Sequence, residues 1–200
     1  MPESPRSSRE DPARFASGLS AEEFCARLQS SFRTHWLIAV SIVREPAAAE
    51  DVVQEAALIA LGKLSDFTPG TNFNAWVGRM VRYVALNYAR KEQKRRSPSL
   101  ESVGDPIDAA GVERSGANLS ATFRGSLDAR IERELFAIHE TARACLLLRT
   151  VEGLSYENIA ELLEIPEGTA MSHVHRTRLL LRERLSDFAP DGAGWSKNPS

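Results

Sequence analysis

Two hundred residues, 42% hydrophobic and 26% charged, describe an ordinary soluble chain with room for one large domain or two small ones. The formal net charge of −2 supplies no overall cationic field, so any affinity for phosphate has to come from local clusters of Lys and Arg. Cys25 and Cys145 are too far apart for a metal-type pair or a disulfide framework, the start of the chain lacks a signal-peptide core, and no run reaches the roughly 18 apolar residues of a membrane span. The expectation is a cytoplasmic protein with no membrane insertion, no metal site and no cofactor.

Residues 1–18 are rich in Ser, Pro, Arg and Glu and offer little to bury, which predicts disorder. Ser20-Ala-Glu-Glu23 fits a capping box at a helix start, and Phe24, Leu28, Phe32, Trp36 and Val40 then recur at four-residue steps along one face. A second helix is predicted from Pro46 to about Leu64, with Glu50 and Asp51 complementing its positive end. The Pro69-Gly70 pair marks a turn, and a third helix follows from about Phe73 to Arg95. Periodicity then disappears over 97–126, which reads as a flexible linker. Helical pattern resumes over 127–188, and 189–200 is a tail containing Gly and Pro. The predicted fold class is therefore all-α, with two small helical domains, 19–96 and 127–188, joined by that linker.

The second block carries the clearest motif. Ser155 caps a short helix through Leu163, with Ile159, Ala160 and Leu163 facing inward. Pro166 interrupts it, and a further helix restarts with Ala170, Val174, Thr177, Leu181 and Leu185 on one side. Thr169, Ser172, His173 and Arg176 lie on the neighbouring face. This is a helix-turn-helix pattern, in which the second helix is docked by its apolar side and presents short polar and cationic side chains to the major groove. A structural helical hairpin is the plainer alternative. His173 and His175, two apart on a helix, point in different directions and make no ligand pair.

The first block ends in a cationic segment. From Arg79 to Arg96 there are seven basic residues and one acidic one, Glu92. Tyr83, Asn87, Arg90 and Lys94 fall close to one stripe, and aromatics mixed with cations suit single-stranded nucleic acid, where bases stack on rings and phosphates meet Lys or Arg. Trp76, Met80 and Val84 fall on another stripe predicted to pack inward. Upstream, Asp51, Gln54, Glu55 and Leu58 form a polar-to-apolar face shaped for docking another protein's helices.

Three segments in this order resemble one family, the small extracytoplasmic-function sigma factors of bacterial RNA polymerase, within the sigma-70 family. Ala49-Glu-Asp-Val-Val-Gln-Glu55 resembles the family's core-binding helix, Phe67-Thr-Pro-Gly-Thr-Asn-Phe-Asn-Ala-Trp76 its promoter-melting loop, and Leu162-Leu-Glu-Ile-Pro-Glu-Gly-Thr169 its recognition turn. The resemblance implies a non-enzymatic protein that binds core polymerase and directs promoter recognition, melting and initiation. It implies that Asp51, Gln54, Glu55 and Leu58 meet the core enzyme. Phe67, Thr71, Asn72, Phe73, Trp76, Arg79, Arg82, Tyr83, Asn87 and Arg90 would take the melted −10 element, and Thr169, Met171, Ser172, His173, Arg176 and Arg178 the duplex −35 element. An anti-sigma factor is a further partner common in such families.

One departure bears on the −35 contact. Many relatives carry a basic residue followed by Ser-Arg where this chain has Met171-Ser172-His173, and His173 cannot supply the bidentate fork by which Arg reads guanine. Two other function classes remain open to the residues alone. One is a stand-alone helix-turn-helix regulator, against which stands the lack of a ligand or receiver domain; the other is a module that binds polymerase or an anti-sigma protein without opening promoters.

Overall fold

The computed structural model describes residues 19–96 and 129–186, so the expectations for 1–18, the 97–126 linker and the tail lie outside the described residues. The described part is helical, with no strand. Among the described residues no helix is long and apolar enough to cross a membrane.

Helix α1 (Ala21–Val43) starts where Ser20 accepts the Glu23 amide at 3.1 Å. Only half of the expected capping box is made, because the Glu23 carboxylate pairs with Arg27 one turn on. Phe24, Trp36 and Val40 of the predicted face are buried, and Leu28 and Phe32 are half-buried. Arg44 turns the chain with a left-handed φ of 64°, and α2 (Pro46–Leu61) begins at once. Its cap is Glu45, whose carboxylate accepts the Ala47 and Ala48 amides. The expected first-turn role of Glu50 and Asp51 is thus corrected: neither lies in the first turn, and Glu50 is buried with one carboxylate oxygen unpartnered. The helix also stops three residues early, and a 3₁₀ turn, Leu64–Asp66, follows.

Asn72 opens α3 (Phe73–Arg96) by accepting the Ala75 amide at 3.1 Å. α1, α2 and α3 pack mutually and enclose Val52, Val53, Ala56, Val77, Val81 and Ala85. The second unit comprises α4 (Ala129–Phe136), α5 (Glu140–Thr150), α6 (Tyr156–Leu163) and α7 (Glu167–Arg184). Ser155 accepts the Asn158 amide at 3.1 Å to start α6, as its position predicts. Gly153, at φ +68°, makes the turn before it, and Arg149 donates to the Leu154 carbonyl while its guanidinium lies 4.8 Å from the Tyr156 ring centre. Ile159 and Leu163 are buried as expected, Ala160 is half-buried, and Leu162 is an additional buried residue.

The two units share one hydrophobic core, with α1 against α5 and α3 against α6. At this seam sits Arg143 on α5, fully buried. Its Nη1 donates to the Phe136 and Ile138 carbonyls at 2.9 and 2.8 Å, where α4 has ended. Its Nε donates at 2.8 Å to the Ser41 carbonyl, in the last turn of α1. The last four carbonyls of a helix have no amide partner within it and carry its negative dipole end, so one guanidinium serves two helix termini. Burial and nearby Arg44 lower its pKa to about 10, which still leaves it charged at neutral pH. Arg143→Met would remove the donor and strand buried carbonyls, each costing about 1–3 kcal/mol when unsatisfied. The expected result is a loss of roughly 2–4 kcal/mol in urea denaturation, where Arg133→Met, on the exposed side of α4, changes little.

Candidate nucleic-acid and protein interfaces

On α2, three of the four residues expected to dock a partner form an exposed row: Gln54, Glu55 and Leu58, with Leu58 71% exposed. Asp51 is half-buried one turn earlier and is already engaged in interactions. An apolar side chain so exposed beside carboxylate and amide groups suits a partner surface that is both cationic and apolar.

α3 lies alongside. Between the two helices runs a groove of about 370 Å³ lined by Glu55, Tyr83, Val84, Asn87, Tyr88, Arg90, Lys91 and Lys94. Tyr83 is 65% exposed, so its ring face is open to a stacked base, and the three cations line the path a phosphate backbone would follow. The stripe expected to face inward does so in part: Val84 is buried, Trp76 and Met80 half-buried.

The 67–76 segment divides by role. Phe67 and Phe73, which the resemblance sets among the residues that take the −10 element, are 4% and 8% exposed and belong to the core. Phe73 stands edge-on to Phe24 and Phe67, with ring centres 5.7 and 6.0 Å apart, and Trp76 leans on Phe67 at 5.2 Å. Such aromatic pairs add about 0.5–1.5 kcal/mol beyond their burial. They fix the loop, and Gly70, at φ +86° with open space where a Cβ would stand, makes its turn. Thr71 is exposed but its hydroxyl donates to the Thr68 carbonyl at 2.7 Å, and the Asn72 side chain is shared between the α3 cap and a bond to Glu161 at 2.6 Å. Arg79 pairs with Glu164 at 3.1 Å, and Arg82 donates to the Leu163 carbonyl. Asn72, Arg79 and Arg82 therefore face the second unit.

On α7 the apolar side is docked, with Ala170, Val174 and Thr177 buried and Leu181 and Leu185 half-buried. Met171, Ser172, Arg176 and Arg178 are exposed, whereas Thr169 and His173 are half-buried. Burial, with His139 and Arg176 close by, holds the His173 imidazole below its usual range, so at neutral pH it offers a neutral ring and no charge. His175, absent from the expected set, is exposed on the same helix, one turn beyond Met171. The residue spacing could have identified it. His139, in contrast, is a structural residue: its Nδ1 accepts the Thr141 amide at the start of α5.

Two family models match the chain, "Sigma-70 region 2" over residues 33–95 and "Sigma-70, region 4" over 129–181. The chain is 30% identical over 139 residues to the ECF RNA polymerase sigma-E factor of Haemophilus influenzae, covering 68% of this chain and 73% of that protein. It is 34% identical over 134 residues to the ECF RNA polymerase sigma-E factor of Escherichia coli K12, covering 64% and 69% respectively. Its fold is similar to that of the sigma factor RpoE from Bartonella quintana, solved in complex with the anti-sigma factor NepR. The TM-score is 0.59 at 26% identity, covering 83% of this chain and 98% of that one.

The split between core and exposed aromatics has a direct consequence for stability. Phe73→Ala should cost about 3–5 kcal/mol as a large-to-small core change, while Tyr83→Ala should stay within about 0.5 kcal/mol of the parent, both read by urea denaturation.

Proposed function

Because the chain belongs to the extracytoplasmic-function sigma factors of the sigma-70 family, we propose a division of that family's work among its own residues. The family binds RNA polymerase and recognises promoters, and sigma factors are not themselves enzymes. In this chain the exposed row Gln54, Glu55 and Leu58, with Asp51 behind it, docks on the core enzyme, which performs the nucleotidyl transfer. The open groove with Tyr83, Asn87 and Arg90 holds the unpaired strand of the −10 element. Arg79 and Arg82 join it once released from their present partners. Thr71, Asn72 and Trp76 border this path, and Phe67 and Phe73 contribute by fixing its shape.

The observation that carries this reading is the groove between α2 and α3, which sets an acidic, partly apolar edge beside a cationic, aromatic one. One edge fits a protein and the other a single strand. Extruding a base costs a few kcal/mol, which ring stacking of about 1–3 kcal/mol per base offsets, so strand capture needs no nucleotide hydrolysis.

α7 reads the −35 duplex through Met171, Ser172, Arg176 and Arg178, with Thr169 and the neutral His173 at its margin and His175 beside them. With a thioether and an uncharged imidazole where a cationic fork would stand, this contact is weak alone and gains from polymerase tethering, which raises effective concentration. The protein works in the cytoplasm, where the polymerase and promoter are, and an anti-sigma protein is a third partner, as for the Bartonella quintana relative.

The division is tested with purified core polymerase. Leu58→Asp combined with Gln54→Ala should weaken core binding roughly tenfold or more, as truncation of an interface anchor of about 1–3 kcal/mol does. Arg176→Ala should leave core binding unchanged and lower initiation on linear promoter DNA. The same defect in both variants would contradict the assignment.

A further inference from the structure

Ala170, Val174 and Thr177 hold α7 against the rest of the second unit, and its first turns leave Met171, Ser172, His175 and Arg176 exposed. Met171 is 48% exposed. No Lys or Arg stands on α7 before Arg176, and Glu167 in the first turn is acidic. His173 is half-buried, and burial, with His139 and Arg176 close by, keeps its ring neutral at neutral pH. The end of a recognition helix that meets base edges therefore offers here a thioether, a hydroxyl and an imidazole before the first guanidinium.

In the major groove guanine shows two acceptors, adenine an acceptor and a donor, cytosine a donor, and thymine an acceptor beside its C5-methyl group. A methionine side chain has no donor and only a weak acceptor, so against guanine, adenine or cytosine it would strip water from polar atoms without replacing their hydrogen bonds. The thymine methyl is the one apolar group on these edges, and covering it removes apolar surface of both partners from water. Methionine is also unbranched and flexible, which lets it follow the methyl group over a range of positions. Docking a protein is the competing use of an exposed apolar side chain. Residues 171–182, however, include the exposed Arg176, Arg178 and Arg182 and no carboxylate, a balance that suits the phosphates flanking a groove.

We propose that Met171 makes this chain thymine-selective at the base pair it meets in the upstream promoter duplex, the C5-methyl group packing on its side chain, and that Arg176 is the first residue of α7 to read guanine. The proposal rests on the assignment of α7 to the −35 duplex made above and supplies the base that one position of this face reads. Arginine at position 171 would reverse the preference, because its donors match the two guanine acceptors and gain nothing from a methyl group. Leucine would keep it, since it too offers only apolar surface.

Holoenzyme assembled from the full chain and core polymerase selects promoter fragments from a pool randomised over the upstream element, using the parent, Met171→Leu, Met171→Arg and Arg176→Ala. Methionine, leucine and arginine have similar helix propensities, so the exchange at this exposed position keeps α7 intact. The parent and Met171→Leu should enrich thymine at one position where Met171→Arg enriches guanine. Deoxyuridine at that position deletes the methyl group and leaves the pairing edge unchanged. It should weaken binding of the parental holoenzyme about fourfold, which is about 0.8 kcal/mol for one buried carbon, and leave Met171→Arg unaffected. Equal parental binding of the thymine and uracil duplexes, or the same enriched bases for the parent and Met171→Arg, would overturn the role of Met171. A motif that still shifts in Arg176→Ala would then leave α7 as the duplex reader. No enriched upstream base with any of the four proteins would overturn both readings. Weaker assembly of Met171→Arg with core, with the enriched bases unchanged, would overturn the proposal in favour of a protein contact.

Discussion

A helix that ends inside a protein leaves carbonyls without amide partners, and the seam between the two units is built around that constraint. Arg143 of the second unit answers the ends of α4 and α1, and Arg82 of the first answers the end of α6. The two interactions are reciprocal, each unit supplying a guanidinium to the other's helix terminus. Neither arginine relies on a carboxylate for this. A guanidinium has five donors in a fixed fork and is more weakly hydrated than an ammonium, which makes it suited to a buried position among carbonyls. The shared apolar core packs around these two points, and the loops at either end are held in relation to them.

The functional surfaces follow from this arrangement. α2 and α3 are free on the side away from the second unit, and there the exposed Leu58 row and the Tyr83 to Lys94 edge stand. On α7, Met171, Ser172, Arg176 and Arg178 are exposed as well. Asn72, Arg79 and Arg82 instead face the second unit. On the proposed assignment, the docking row and the duplex-reading face are therefore open to partners, whereas these three donors are already engaged.

Much of the fold was legible from local chemistry. Ser20 and Ser155 cap helices because a side-chain oxygen before an apolar repeat satisfies free amides, and Pro46 and Pro166 mark starts for steric reasons that need no tertiary context. The recognition helix was legible because its apolar side repeats at helical spacing. Other features were beyond reach. Arg143 has no local signal of burial, since only the meeting of α1, α4 and α5 supplies carbonyls that make its burial favourable. The resemblance sets Phe67 and Phe73 at the −10 element and nothing local marks them as core; Phe24, distant in sequence, packs edge-on beside Phe73. The pairing of Arg82 with Leu163, 81 residues apart, carries no local signal at all.

The two units pack on one another around the Arg143 and Arg82 contacts. Pulsed electron–electron resonance between a spin label on Cys25, exposed on α1, and one on Leu179→Cys, exposed on α7, measures this directly. One narrow distance distribution is expected in the parent protein and a broadened one in Arg143→Met. A broad distribution in the parent, or the same narrow one in both proteins, would contradict a seam built on the buried guanidinium.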